Sequence, residues 1–145
     1  MNNKILDLMV SKVDELVMLS LTKGVQPYEL AENAFDEDYR EIKIKRAGNT
    51  IKTEVTIYEE IDLIESRMET LLSYTYDLEG NLNLIEEFCD NKKKILWSRE
   101  HSANTLISEI VALLQEINPQ KIDQFIESLP GEYKKAVSEK LNLVA

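Results

Sequence analysis

Cysteine and histidine each occur once in these 145 residues, as Cys89 and His101. A lone thiol excludes an intrachain disulfide and any multi-thiolate metal site, and it suits a reducing compartment. A lone imidazole removes most catalytic arrangements, because histidine is the usual general base and the commonest neutral metal ligand. Glycine is nearly as sparse. Gly24, Gly48, Gly80 and Gly131 stand far apart, so no glycine-rich loop exists to cradle a phosphate. Long apolar runs are missing too, and the opening Met1-Asn2-Asn3-Lys4 lacks the n-region, h-region and cleavage site of a secretory signal. The expectation is a cytoplasmic protein with no membrane contact.

Negative charge is what the chain has in excess. Its formal net charge is −10 and its pI about 4.6, a field that repels nucleic-acid phosphates and anionic membranes, so no direct nucleic-acid binding is expected. Hydrophobic residues make up 43% and charged residues 30%, enough apolar material for a core rather than a disordered chain. The length matches one α+β domain spanning residues 1–145. Lys92-Lys93-Lys94 is the one basic run, and beside Asp90-Asn91 it reads as the solvated tip of a hairpin.

Residues 4–22 contain no glycine or proline and end at Lys23-Gly24, which predicts an N-terminal helix closed by a C′ glycine. At 100° per residue, Ile5, Leu6, Leu8, Met9, Val10, Val13, Leu16, Val17, Leu19 and Leu21 spread over roughly 220°, twice the arc of a one-sided surface helix. Asp7, Ser11, Asp14, Glu15, Thr22 and Met18 share the remaining sector. Such a helix needs cover on two sides. A central core helix and an interface helix are equal readings of it.

Pro27–Ala34 suggests a short helix before the acidic stretch Asp36, Glu37 and Asp38. Alternation from Glu41, broken at Ala47-Gly48-Asn49 and resumed over Thr50–Ile57, predicts a β-hairpin. Ile57, Ile61, Ile64, Met68 and Leu71 recur at spacings of four and three, and Thr56 with Glu59 has capping-box spacing, so a central helix is favoured over 57–71, with strand as the alternative because β-like residues flank the segment. Strand patterns at Leu72–Tyr76, Leu82–Phe88 and Ile95–Ser98 predict a three-stranded antiparallel meander. Three C-terminal helices follow over residues 103–142, interrupted at Asn118-Pro119 and Pro130-Gly131.

No catalytic, cofactor-binding or metal-binding residue is assigned. Cys89 and His101 read as a strand-end thiol and a capping-loop imidazole, and Asp62, Glu65 and Glu69 as a solvated helix face. Asp77, Glu79, Asn81 and Asn83 alternate oxygen donors, but counted from Asp77 the glycine falls at the fourth position and Phe88 at the twelfth, which a calcium loop does not tolerate. A hairpin with Gly80-Asn81 at positive φ accounts for the same residues. The stretch Tyr74-Thr75-Tyr76-Asp77-Leu78-Glu79-Gly80-Asn81-Leu82 is similar to one copy of the tyrosine-aspartate repeat of large bacterial shell-forming toxin carriers. It covers nine residues once, and no function is carried over from it.

The positive signals are the wide apolar helix and the acidic surface, with Leu6, Val10, Val17, Met18 and Leu21 as candidate partner-binding residues on the helix and Asp36, Glu37 and Asp38 in the acidic stretch. They predict a non-enzymatic binding or regulatory protein with a protein partner, basic in character, or a homodimer. In size and charge the chain resembles toxin immunity proteins and type III secretion chaperones, a likeness of class only. The alternative is a small enzyme using carboxylates with Tyr74, Tyr76 or His101 in a cleft.

Overall fold

The computed structural model describes residues 3–61 and 66–144. The chain has an α+β fold and divides into two compact units, Met1–Thr22 with Glu100–Ala145, and Lys23–Arg99.

The first unit is helical. It contains α1 (Asn3–Leu21), α3 (Arg99–Leu114), α4 (Pro119–Glu127) and α5 (Gly131–Val144). Met9, Val13 and Leu16 on α1 recur at helical spacing and join Ala103, Ile107, Ile110, Val111 and Leu114 of α3 in one buried cluster, closed by Leu129 and Val137. Leu16 and Leu114 are wholly removed from solvent, and burial of each such side chain stabilises by about 1.5–3 kcal/mol. Lys12 reinforces the packing of α1 on α3, its ammonium 2.7 Å from Glu109 and 3.5 Å from Glu15. The hydrogen bond from Lys12 to Glu109 outweighs desolvation and raises the ammonium pKa. The Asn118 carbonyl oxygen Oδ1 accepts the Gln120 N–H at 3.1 Å, which caps α4 ahead of Pro119. Lys140 of α5 reaches Ser108 of α3.

The helix predicted to begin at 103 starts four residues earlier, at Arg99, directly where the last strand ends. His101 therefore lies exposed in the first turn of α3 and not in a capping loop. Glu100 in the same turn complements the helix dipole, a stop-start signal that needs no separate loop.

The second unit is a sheet of five antiparallel strands in sequential order: β1 (Tyr39–Ala47), β2 (Thr50–Ile61), β3 (Ser66–Asp77), β4 (Leu82–Cys89) and β5 (Lys92–Ser98). The hairpin and the meander are thus one continuous sheet. Short α2 (Pro27–Ala31) and a 3₁₀ turn (Glu32–Phe35) precede it. Asp90 and Asn91, with φ of 52° and 61°, make the tight turn between β4 and β5. At the β3–β4 turn only Gly80 of the pair Gly80-Asn81 has a positive φ, 90°.

The expected central helix is the principal correction. Ile57 and Leu71 belong to β2 and β3, where Ile57 pairs with Thr70 and Thr56 with Leu71. The i, i+3, i+4 spacing of the isoleucines comes from two strands read through their connection, and the β-branched residues Ile51, Thr53, Val55, Thr56 and Ile57 carry the local preference. Thr56 sits inside β2 and caps nothing. Beyond the last pairings of β1 (Tyr39 with Ile57) and β4 (Cys89 with Thr70), β2 and β3 continue as a two-stranded ribbon from Tyr58–Glu69 to Ile61–Ser66. Ile64, and the carboxylates Asp62 and Glu65 considered above, lie outside the described residues.

Candidate functional site

The side of α1 turned away from Met9 and Leu16 is where the helical unit leaves apolar surface in water. Val10, Met18 and Leu21 are 50%, 61% and 72% exposed, although Met9 and Leu16 beside them are wholly buried. Leu6 and Val17, the other two helix residues named from sequence, are half-buried against the core cluster, so they support the exposed side rather than form it. Leu8 is also exposed, but it lies on the opposite flank of the core-facing arc.

Successive residues of an α-helix turn by 100°, which places Val10, Leu21, Asp14, Asp7 and Met18 within an arc of about 80°. Apolar and acidic side chains alternate along it. Reading down the helix, Asp7, Val10, Asp14 and Met18 follow one another at spacings of three, four and four. Two grooves flank this stripe. One, of about 380 Å³, opens between α1 and α4 and is lined by Val10, Val13, Asp14, Val17, Gln124, Phe125 and Ser128. The other, of about 540 Å³, runs along the outer side of α1 over Asp7, Val10, Ser11, Asp14, Glu15 and Met18. Every charged side chain lining either groove is an acid. Of the two cations of α1, Lys4 lies in the first turn and Lys12 faces α3.

Sequence reasoning counted the apolar members of this stripe as partner-binding candidates but not Asp7, Asp14, Glu15, Gln124, Phe125 or Ser128. The acidic residues were legible on the helical wheel, in the same sector as Met18. The contribution of α4 was not, because helix pairing is a tertiary fact with no local signal.

Asp36, Glu37 and Asp38 belong to the sheet unit and are exposed after the 3₁₀ turn. Their backbone is occupied locally: Asp36 Oδ1 accepts the Asp38 N–H at 3.3 Å and the Asp38 carbonyl accepts the Tyr58 N–H at 2.9 Å. Exposed apolar side chains in this unit are dispersed, with Phe35 on the 3₁₀ turn, Ile44 on edge strand β1, and Ile95 and Leu96 on the other edge strand, β5.

Tyr76, Cys89 and Asp77 are hydrogen-bonded within the sheet unit. The Tyr76 hydroxyl donates to the Val25 carbonyl at 2.6 Å, and burial, with Tyr74 and Glu29 nearby, pushes its pKa up to about 12. Burial raises Tyr74 as well. The Cys89 sulfur accepts from the Thr70 hydroxyl at 3.5 Å. Asp77 closes the β3–β4 turn: Oδ1 accepts the N–H groups of Glu79 and Asn81 at 3.0 and 2.9 Å, and Oδ2 accepts the Asn81 amide at 3.0 Å. Desolvation would raise the Asp77 pKa, but these hydrogen bonds and the Arg99 charge outweigh it and hold the carboxyl below its ordinary range. Among the described residues, no group of three or more His, Cys, Asp or Glu could hold a metal ion, and no helix is long and apolar enough to cross a membrane.

Comparison with known protein families, curated proteins and solved structures finds no match to this chain.

Proposed function

We propose that this chain is a non-enzymatic protein-binding or regulatory protein, of the inhibitor, immunity or chaperone kind, that engages a protein partner through the uncovered side of α1. The observation that carries this reading is the exposure of Val10, Met18 and Leu21 on a helix that buries Met9, Val13 and Leu16 in the core. An apolar row flanked by grooves on an otherwise charged surface marks an interaction site in soluble proteins. The net charge of −10 favours a basic partner and disfavours nucleic acid. A single cysteine suits a reducing, cytoplasmic setting.

The test is site-specific photo-cross-linking in the native cell, with the photoreactive residue at Met18 and, as a control, at exposed Ala112 on α3. The expected outcome is one protein captured from position 18 and not from 112, which then binds the purified chain and fails to bind a V10S/M18S variant. Equal capture from both positions, or undiminished binding by the variant, counts against the reading.

A further inference from the structure

Val10 and Met18 lie eight residues apart on α1 with Asp14 midway between them and Asp7 one turn before Val10. This pattern has a complement. A helix laid along the stripe presents apolar side chains to Val10 and Met18, and the only charged side chains it meets within the grooves are carboxylates. Lysine or arginine opposite these carboxylates would neutralise Asp7 and Asp14, and their long stems would also cover apolar surface. Glutamate or aspartate there would bring like charges together.

We propose that the stripe of α1 from Asp7 to Met18 is the seat of a basic amphipathic helix of a partner protein, with apolar anchors on Val10 and Met18 and cationic side chains on Asp7 and Asp14. The inference rests on the protein-binding reading and specifies the partner's chemistry. From Asp7 to Met18 the helix rises about 16 Å, so some three turns of the partner engage. Phe125, on the floor of the α1–α4 groove, gives the anchor at Val10 an apolar wall.

A second copy of the chain fits this surface poorly. Antiparallel pairing that sets Val10 against Met18 puts Asp14 on the two-fold axis, facing its own counterpart, and two chains of charge −10 repel at long range. A basic partner is instead attracted at long range and matched at contact.

The experiment uses the full chain and synthetic fluorescent helices of about sixteen residues. One has leucines at i, i+4 and i+8 flanked by lysines; its twin replaces the lysines with glutamates; a third scrambles the basic sequence so that no apolar stripe remains. Anisotropy titration is expected to show the basic helix binding about tenfold more tightly than either of the others, a preference that weakens with salt. A D7K/D14K variant is expected to reverse the preference and select the acidic twin, a gain that an unfolded variant could not show.

Equal affinity for the two twins overturns the proposal and leaves the protein-binding reading intact with a partner of different charge. Equal affinity for the scramble also overturns it, since net charge alone would then explain binding. So does a dimer in sedimentation analysis that V10S/M18S dissolves, because the face then belongs to a second copy. Silence of every helix, together with no capture from position 18, removes both readings.

Discussion

Tyr76 donates its hydroxyl to the carbonyl of Val25 at 2.6 Å, across fifty-one positions of sequence. The bond fastens the segment entering α2 to β3; Tyr76 is only 1% exposed, and Val25 is half-buried. Tyr76→Phe leaves the Val25 carbonyl without its donor and is expected to cost about 1–3 kcal/mol in denaturant unfolding. The pH dependence should change with it. The pKa in the folded chain, about 12, exceeds the ordinary 10.0, so the unfolded chain loses this proton first. The contribution is then present in full below pH 10 and is lost as the pH rises towards 12. Stability measured across that window should fall less steeply for Tyr76→Phe than for the parent chain. An identical slope would show that the hydroxyl is not held neutral by the fold.

Gly24 carries a φ of +85°, and a Cβ placed on it would stand 2.8 Å from the Leu82 Cβ. The neighbouring backbone is fixed as well, because the Leu82 N–H donates to the Lys23 carbonyl at 2.8 Å. Gly24→Ala combines left-handed strain with overpacking and is expected to destabilise by about 2–4 kcal/mol. Truncating the obstacle should separate the two terms. In the Gly24→Ala/Leu82→Gly double variant the obstructing Leu82 Cβ is gone and the clash is relieved, so the combined loss should be smaller than the sum of the single losses.

Regular elements were legible wherever one period ran unbroken. The apolar positions of α1, those from Leu106 to Leu114 on α3 and the alternation at Ile42 and Ile44 each reflect a single helix or strand, and the structure has them within a few residues of the expected bounds. Reading failed where two elements met in one window. Ile57 and Leu71 are spaced as on a helix because two strands reverse between them, and only the cross-strand pairing of Ile57 with Thr70 distinguishes the cases. The exposed side of α1 was legible as an excess of apolar arc. Which part of that arc the core would use depended on α3, α4 and α5, whose packing no local pattern encodes.

Glu86 is a carboxylate with 7% of its side chain exposed, and Lys93 on the neighbouring strand meets it at 2.7 Å. The Lys93 side chain is itself 57% exposed, so its desolvation is small while the attraction is felt by a buried group. Lys93→Met leaves the carboxylate without its counter-charge and is expected to cost about 1–3 kcal/mol. Adding Glu86→Gln removes the stranded charge and should recover part of the loss. Chemical denaturation of the two single variants and the double variant closes the cycle, and strict additivity would show that the pair contributes nothing.

Leu16 and Met18 lie two residues apart on α1 and should answer opposite questions. Leu16 is wholly buried among the residues of α1, α3 and α5 that make the core, and Met18 is 61% exposed. Leu16→Ala should therefore cost about 2–5 kcal/mol, the transfer term plus the cavity it leaves. Met18→Ser removes no core contact and should change stability by no more than about 0.5 kcal/mol. If the exposed side of α1 exists for a partner, the order reverses in binding: Met18→Ser should weaken capture of that partner while the fold stands. A large stability loss for Met18→Ser would place Met18 in the internal packing of this chain. Its exposure would then no longer be a reason to seek a partner at all.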